Sequence, residues 1–254
     1  MLRVIAVGDV HANWPAFWRA LQSAGLSDED GNPSVRLLSG SSLVLLMGDL
    51  VHPKTPEDYA RISGYRPFDD QNKEHLKAAA DNQAYALRKL REFSFRSGGH
   101  LKILLGNHDE SALSHRHRLK SGAHLQHREF DPSAGGTPLD PELRAWFLGF
   151  AREVVIGRTH FAHVGPLPSM SQYDDFFYAD QDPRQWFLAR PELVAECGWN
   201  FGVYGHNLMP GGIRMDRQHR FAMIDALECG EYLELRFQSS EDLDTPPSVR
   251  VVRF

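Results

Sequence analysis

Cysteine is nearly absent: Cys197 and Cys229 are the two in 254 residues, and neither belongs to a CxxC pair. That argues against a disulfide framework and a thiolate zinc clip, and both thiols are expected as reduced core residues. No apolar run approaches membrane-spanning length, so no transmembrane helix is expected. The amino-terminal stretch MLRVIAVGDVH reaches Asp9 after too short an apolar run for a secretory signal, which makes the cytoplasm the default location. Basic charge is not in excess either, since 28 Lys and Arg face 33 Asp and Glu for a net charge of -5. Phosphate backbones and anionic membranes reward a basic face, so neither nucleic acid nor a membrane is an expected partner. No internal repeat occurs.

What is present is ordinary for a globular chain. Hydrophobic residues make up 42% and charged residues 24%, which excludes a disordered or fibrous class. The length suffices for a substantial core, and residues 1–254 are read as one domain. A strand expected at Arg3–Val7 runs through GDVHANW into an amphipathic helix with Trp14, Phe17, Leu21 and Ala24 on one face. Apolar runs at Leu43–Met47 and Leu101–Leu105 bracket a long helix from about Asn72 to Arg96, stopped by Gly98-Gly99. Strands alternating with helices indicate an α/β sheet. After about Arg152 the pattern changes to β-like runs, EVVIG, THFAHVG, FGVYGH, FAMIDAL, EYLELRF and VRVVRF, which read together as a second sheet. Residues 131–141 read as a loop. Two segments, 53–71 and 166–191, are inserts in a position to cover a site, although aromatics at the density of the second more often pack into a core.

The chemistry sits where apolar strands stop. Asp9 and His11 in GDVH, Asp49 in GDLV, Asn107 and His108 in GNHD, His163 in HFAHVG and His206 in VYGHN come from five separate strand ends. Ligands of open α/β sheets bind beyond the carboxyl ends of strands, so these five ends are expected to converge. Carboxylate, amide oxygen and neutral imidazole together suit two divalent ions such as Mn, Fe or Zn. Two ions roughly 3.5 to 4 Å apart would polarise a phosphoryl group and acidify a water between them. The glycines before Asp9, Asp49, Asn107 and His206 fit tight strand-to-loop turns. Alone, His163 or His160 on an apolar strand is more often a satisfied core histidine, and Asp49 a cap; the ordered set is what carries the reading.

Those segments, with GHNLMPGG and FAMIDALECGEYLELRF after them, resemble the calcineurin-like metallophosphoesterase family, in particular its phosphoprotein phosphatase and diadenosine-tetraphosphatase branch. The resemblance implies an α/β/β/α sandwich of two sheets flanked by helices around a two-metal hydrolytic centre, with Mn the favoured ion. It implies that Asp9, His11 and Asp49 hold the first ion, and that Asp49 bridges to a second held by Asn107, His163 and His206. Many relatives write the last motif GHxH and gain a further ligand to the first ion, but position 208 is Leu here, leaving that ion fewer protein ligands. The implied reaction is in-line attack on phosphorus by metal-bound hydroxide, with His108 protonating the leaving oxygen.

Relatives also write GDxVDRG, whose second Asp orients that histidine and whose Arg grips phosphate. The present chain reads GDLVHPK, with His52 and Pro53 at those places. Asp109 or Glu110 is then expected to orient His108, and Lys54 to supply positive charge, while His52, Lys54 and Asn107 are the expected substrate contacts. The basic run from His115 to Arg118 with Lys120 and Arg128, together with Arg184 and Arg214, supplies further candidates. The expected partner is a phosphorylated small molecule, nucleotide or phosphoprotein, with phosphomonoesters ahead of diesters or dinucleoside polyphosphates. A metal-binding protein of the same fold without turnover, and a nuclease, are the remaining alternatives.

Overall fold

The computed structural model describes residues 1–115, 119–121, 125–166, 185–238, 243 and 245–254. Twelve strands are described: β1 Leu2–Val7, β2 Ser42–Leu46, β3 Leu101–Ile103, β4 Lys120–Ser121, β5 Leu125–Gln126, β6 Glu153–Ile156, β7 Thr159–Ala162, β8 Phe201–Leu208, β9 Arg214–Asp216, β10 Phe221–Asp225, β11 Glu231–Phe237 and β12 Ser248–Arg253. They form two mixed five-stranded sheets, ordered β12-β11-β1-β2-β3 and β6-β7-β8-β10-β9, and a small β4-β5 ribbon. β1, β2 and β3 run parallel, as do β7, β8 and β10, so their carboxyl ends share an edge in each sheet.

Apolar residues from both sheets, among them Ala6, Leu45, Phe161, Val203 and Ile224, form one buried cluster that joins the sheets face to face. The other face of the first sheet is covered by helices. α1 (Trp14–Ser23) buries Phe17, Ala20 and Leu21 at helical spacing. Asn72 caps α3 (Lys73–Arg96) by accepting from Glu74 N, and Leu76, Leu87, Leu90 and Phe93 form its inner stripe. Gly98 and Gly99 follow it at positive φ, as a helix stop requires. The outer face of the second sheet is covered by a smaller cluster around Trp186, Phe187 and Val194. The α/β/β/α layering is therefore present.

Two expectations need correction. The last two strands do not belong to the second sheet: β11 lies antiparallel beside β1, and β12 beside β11. The physical reason is long-range packing: Leu233 and Leu235 of β11 lie in register with Ala6 and Val4 of β1, all four buried in the cluster between the sheets, with Arg3 reaching buried Glu234 at 2.6 Å. The cysteines are not core residues either, since Cys197 is half-buried and Cys229 exposed, both free. In the 53–71 insert, α2 (Pro56–Ser63) carries Tyr59, which is completely buried. Of the 166–191 insert, 167–184 lies outside the described residues. Among the described residues no helix is long and apolar enough to cross a membrane.

Candidate metal centre

Each candidate donor is delivered by a strand end. β1 leads to Asp9 and His11, β2 to Asp49, β7 to His163, and β8 carries His206; β3 leads to α4 (Asn107–Ser114), whose first turn holds Asn107, His108 and Asp109. The turns are sharp. His11, Ala12, Asp49, His52 and His206 all take positive φ, between 44° and 65°. That region costs an L residue roughly 1–2 kcal/mol, and Asp and His are among the side chains found there most often. Strain gathered at one place and held by surrounding packing is typical of a functional site.

The glycines serve differently from the turn reading. Gly48 does turn at φ 101°, but Gly106 and Gly205 are needed for close approach. A Cβ on Gly106 would stand 2.0 Å from Asp49 Oδ1, and one on Gly205 2.2 Å from Asp9 Oδ1.

The donors face one another. His163 Nδ1–H donates to Met47 O at 2.6 Å, which turns Nε2 toward Asn107 Oδ1 at 3.1 Å and Asp49 Oδ2 at 3.3 Å. His206 Nδ1 lies 3.0 Å from the same Asn107 oxygen and 3.2 Å from His163 Nε2. On the other side, His11 Nδ1–H donates to His52 O at 2.8 Å and leaves Nε2 3.5 Å from Asp49 Oδ2. Asp49 Oδ1 accepts from His108 N at 2.8 Å, so Oδ2 alone stands between the two histidine groups. Carbonyl partners on Nδ1 fix the tautomer that metal-ligating histidines need.

Electrostatics point the same way. Burial alone would lower His163, but the carboxylates of Asp49 and Asp9 reverse it and push it up to about 10. Burial, with Lys54 adding to it, holds His11 down to about 3. Burial and the Asp225 carboxylate raise Asp9 well above the usual carboxylate range. Burial also works against ionised Asp49, yet His163 and His108 outweigh it.

These residues fit a metal. Asp9 Oδ1 is buried with no hydrogen-bond partner among the described residues. Three groups each bring their donor atoms within 4.8 Å of one another: Asp49 with His163 and His206, Asp9 with His11 and Asp225, and His11 with Asp49 and His108. In the metal-free chain a proton on His163 Nε2 serves these close oxygens, and a bound cation would take its place. A donor set of oxygens and imidazoles without thiolate suits a divalent ion of intermediate hardness. Cavities of about 370 Å³ beside Trp18 and Phe93 and of about 440 Å³ beside Phe201 and Met215 carry no such convergence.

Around the donors, several expected residues have other partners. Asp109 does not orient His108: its carboxylate accepts from Leu50 N at 2.8 Å and Gly106 N at 3.0 Å, tying two strand-end loops together. His52 meets His108 instead, Nδ1 to Nδ1 at 3.1 Å. Behind His52 lies a buried polar network. Its ring stacks on His127 with centroids 4.7 Å apart and planes 5° from parallel. His127 Nδ1 is 2.7 Å from Tyr59 Oη, which donates to Glu129 at 2.8 Å, and Gln83 bridges Glu129 to His52 N.

Lys54 bonds both oxygens of Asp225, at 2.7 and 3.0 Å. Arg128 is held by Gln126 and Gln71, and Arg214 sits over the Phe187 ring. Residues 116–118 and Arg184 lie outside the described residues. Sequence reasoning missed His127 and Asp225. For His127 no local signal exists, whereas Asp225 ends the apolar run FAMI, the same signal that found the others.

A buried cluster of oxygen and imidazole donors at parallel strand ends, across two packed sheets, defines a metal-dependent hydrolase of the α/β/β/α type. The sequence profile of calcineurin-like phosphoesterases matches residues 2–213, and the chain belongs to that family. It is accordingly an enzyme acting on phosphoric ester bonds. No curated protein matches it by sequence. Among solved structures it is similar to a cold-active protein tyrosine phosphatase, at 15% identity and TM-score 0.57, covering 92% of this chain and 74% of that one. It is also similar to a diadenosine tetraphosphatase described as putative by its structure, at 16% identity and TM-score 0.52, covering 98% and 92%. A protein serine/threonine phosphatase from Saccharomyces cerevisiae aligns at 10% identity and TM-score 0.50, covering 100% and 80%. At these identities the likeness is one of fold.

Proposed function

We propose that the chain is a two-metal phosphomonoesterase in which Asp49 joins the two ion sites. The observation that carries this reading is the place of Asp49 Oδ2, between His11 Nε2 at 3.5 Å and His163 Nε2 at 3.3 Å. In this reading Asp9, His11 and Asp49 hold one ion and Asp49, Asn107, His163 and His206 the other, with Mn the favoured metal. When bound, two divalent ions supply Lewis-acid polarisation of the phosphoryl oxygens and activation of water. The residues of the chain do the rest. The carbonyls of His52 and Met47 hold Nδ1 of His11 and His163, which leaves Nε2 as the atom each would give a metal, His163 releasing its Nε2 proton on binding.

His108 is the group that protonates the leaving oxygen. With His52 Nδ1–H donating to His108 Nδ1, the proton of His108 is held at Nε2, the atom left for substrate. Burial holds His52 down to about 3 and His108 well below its usual range without substrate. To protonate the leaving oxygen His108 must first take up a second proton, drawn by the phosphate dianion, and it returns to the neutral ring as that proton leaves. Where relatives place a carboxylate behind this histidine, the present chain places a stacked imidazole pair.

Phosphomonoesters suit the site because their extra negative charge matches two divalent ions, and two similar folds belong to enzymes named as protein phosphatases. A nucleotide, small phosphate ester or phosphoprotein meets that requirement. The test compares p-nitrophenyl phosphate with bis-p-nitrophenyl phosphate, with Mn added. Preference for the monoester is expected. Preference for the diester overturns the monoester assignment, and turnover of neither while Mn is bound leaves a binding protein.

A further inference from the structure

The first ion site as read from the sequence has one fewer protein donor than many relatives provide, because Leu208 offers none. In the structure Leu208 pairs in register with Asp225 on the neighbouring strand, immediately after an irregularity between Met223 and Asp225. That irregularity places a carboxylate at the sheet edge where the donors gather. Asp225 is buried, and one of its oxygens lies within 4.8 Å of one donor atom each of Asp9 and His11. The second observation is Asp9 itself. Its Oδ2 accepts from His206 N at 2.8 Å, while Oδ1, buried, has no hydrogen-bond partner among the described residues, with His163 Nδ1 4.0 Å away. Two buried carboxylates and an imidazole thus share one pocket. The ammonium of Lys54 reaches only one of them, at 2.7 Å from Asp225 Oδ1, with Glu228 farther off at 3.8 Å. His163 stands against Asp49 Oδ2 at 3.3 Å on the other side, so Lys54 is the one ammonium on the Asp9–Asp225 side among the described residues, and Asp9 Oδ1 is left without a hydrogen bond there.

We propose that Asp225 is a further ligand of the first-site divalent ion, and that Lys54 is the counter-ion that fixes its carboxylate. The proposal rests on the reading of Asp9 and His11 as ligands of that ion. Each Asp225 oxygen keeps a lone pair beyond the one given to Lys54, so the two bonds are compatible. Lys54 is then spent on positioning rather than on gripping phosphate.

The test is calorimetric titration of MnCl₂ into metal-free wild type, Asp225→Asn, Lys54→Met and the Lys54→Met/Asp225→Asn pair. Wild type is expected to take two ions. Asp225→Asn is expected to keep one at wild-type affinity and to bind the other roughly 10- to 100-fold more weakly, as removal of a supporting carboxylate does at metal sites. The double variant removes both charges and therefore folds even where Asp225→Asn, with Lys54 left unpaired, does not. It is expected to remain defective at the first site. Two unchanged sites in Asp225→Asn, restoration of the first site in the double variant, or a single ion in wild type would each overturn the proposal. Failure of the phosphomonoesterase reading looks different: two bound ions in wild type with no hydrolysis of p-nitrophenyl phosphate.

Discussion

Replacing His52 by alanine removes the ring whose Nδ1 meets His108 at 3.1 Å and which stacks on His127. General acid catalysis contributes roughly 10²- to 10⁴-fold. A group that stays present but loses its orienting partner gives up part of that, and a misplacement of about 1 Å costs on the order of 10²-fold. The expected loss in kcat for His52→Ala is therefore about 10- to 100-fold with phenyl phosphate, with KM little changed. With 2,4-dinitrophenyl phosphate, whose leaving group needs no proton, the loss shrinks to about the scatter of the assay. His108→Ala should lose more with phenyl phosphate, and the double variant should match His108→Ala, because His52 acts through His108. The cavity costs about 2–4 kcal/mol of stability, so urea melts must show each variant folded at the assay temperature. His52 lies at φ 65°, which asparagine tolerates, and His52→Asn is the control that keeps the turn. Losses that multiply in the double variant, or that are equal for both esters, would refute the positioning role.

Other outcomes follow from the same geometry. Gly205→Ala forces a Cβ to 2.2 Å from Asp9 Oδ1; first-site Mn affinity should fall, and urea melts should show about 1–3 kcal/mol lost. Glu234→Gln leaves Arg3, Arg236 and Arg250 without their buried carboxylate, and about 1–3 kcal/mol of stability should go with it by urea denaturation. Burial disfavours ionised Glu234, but Arg3 and Arg236 outweigh it and lower its pKa from 4.5, so its stabilisation is present above pH 4.5 and lost as pH falls through the folded value. His52 and His127 fall from 6.5 to about 3 on folding, chiefly by burial. The unfolded chain therefore binds their protons first, and between pH 7.5 and 5.5 the metal-free protein should lose about 1 kcal/mol for each. His11 and His163 contribute to wild type and His52→Asn alike, so a pH dependence of the urea midpoint that is the same in both would contradict a neutral His52.

How far the sequence reached can be stated residue by residue. Asp9, His11, Asp49, Asn107, His163 and His206 are legible because each follows an apolar run, and parallel strands bring such ends to one edge. Asp225 obeys the same rule but stands in a run whose sheet partner is set by long-range pairing. The return of β11 and β12 to the first sheet was hidden for that reason: alternation marks a strand without naming its neighbour. Tyr59 comes from α2, Gln83 from α3, and His127 and Glu129 from the segment after β5, and only the fold assembles them behind His52. Asp109 misled because its sequence position beside His108 says nothing of where a side chain at a helix start points; it faces two backbone N–H groups.

The central claim is that catalysis belongs to ions held on either side of Asp49. The most direct measurement is turnover of p-nitrophenyl phosphate by chelator-stripped protein, before and after Mn is restored, with bound metal counted in the same samples. No turnover when stripped, and recovery that completes at about two bound ions per chain, is the predicted result. Turnover that survives complete metal removal, or none with both ions bound, would contradict it.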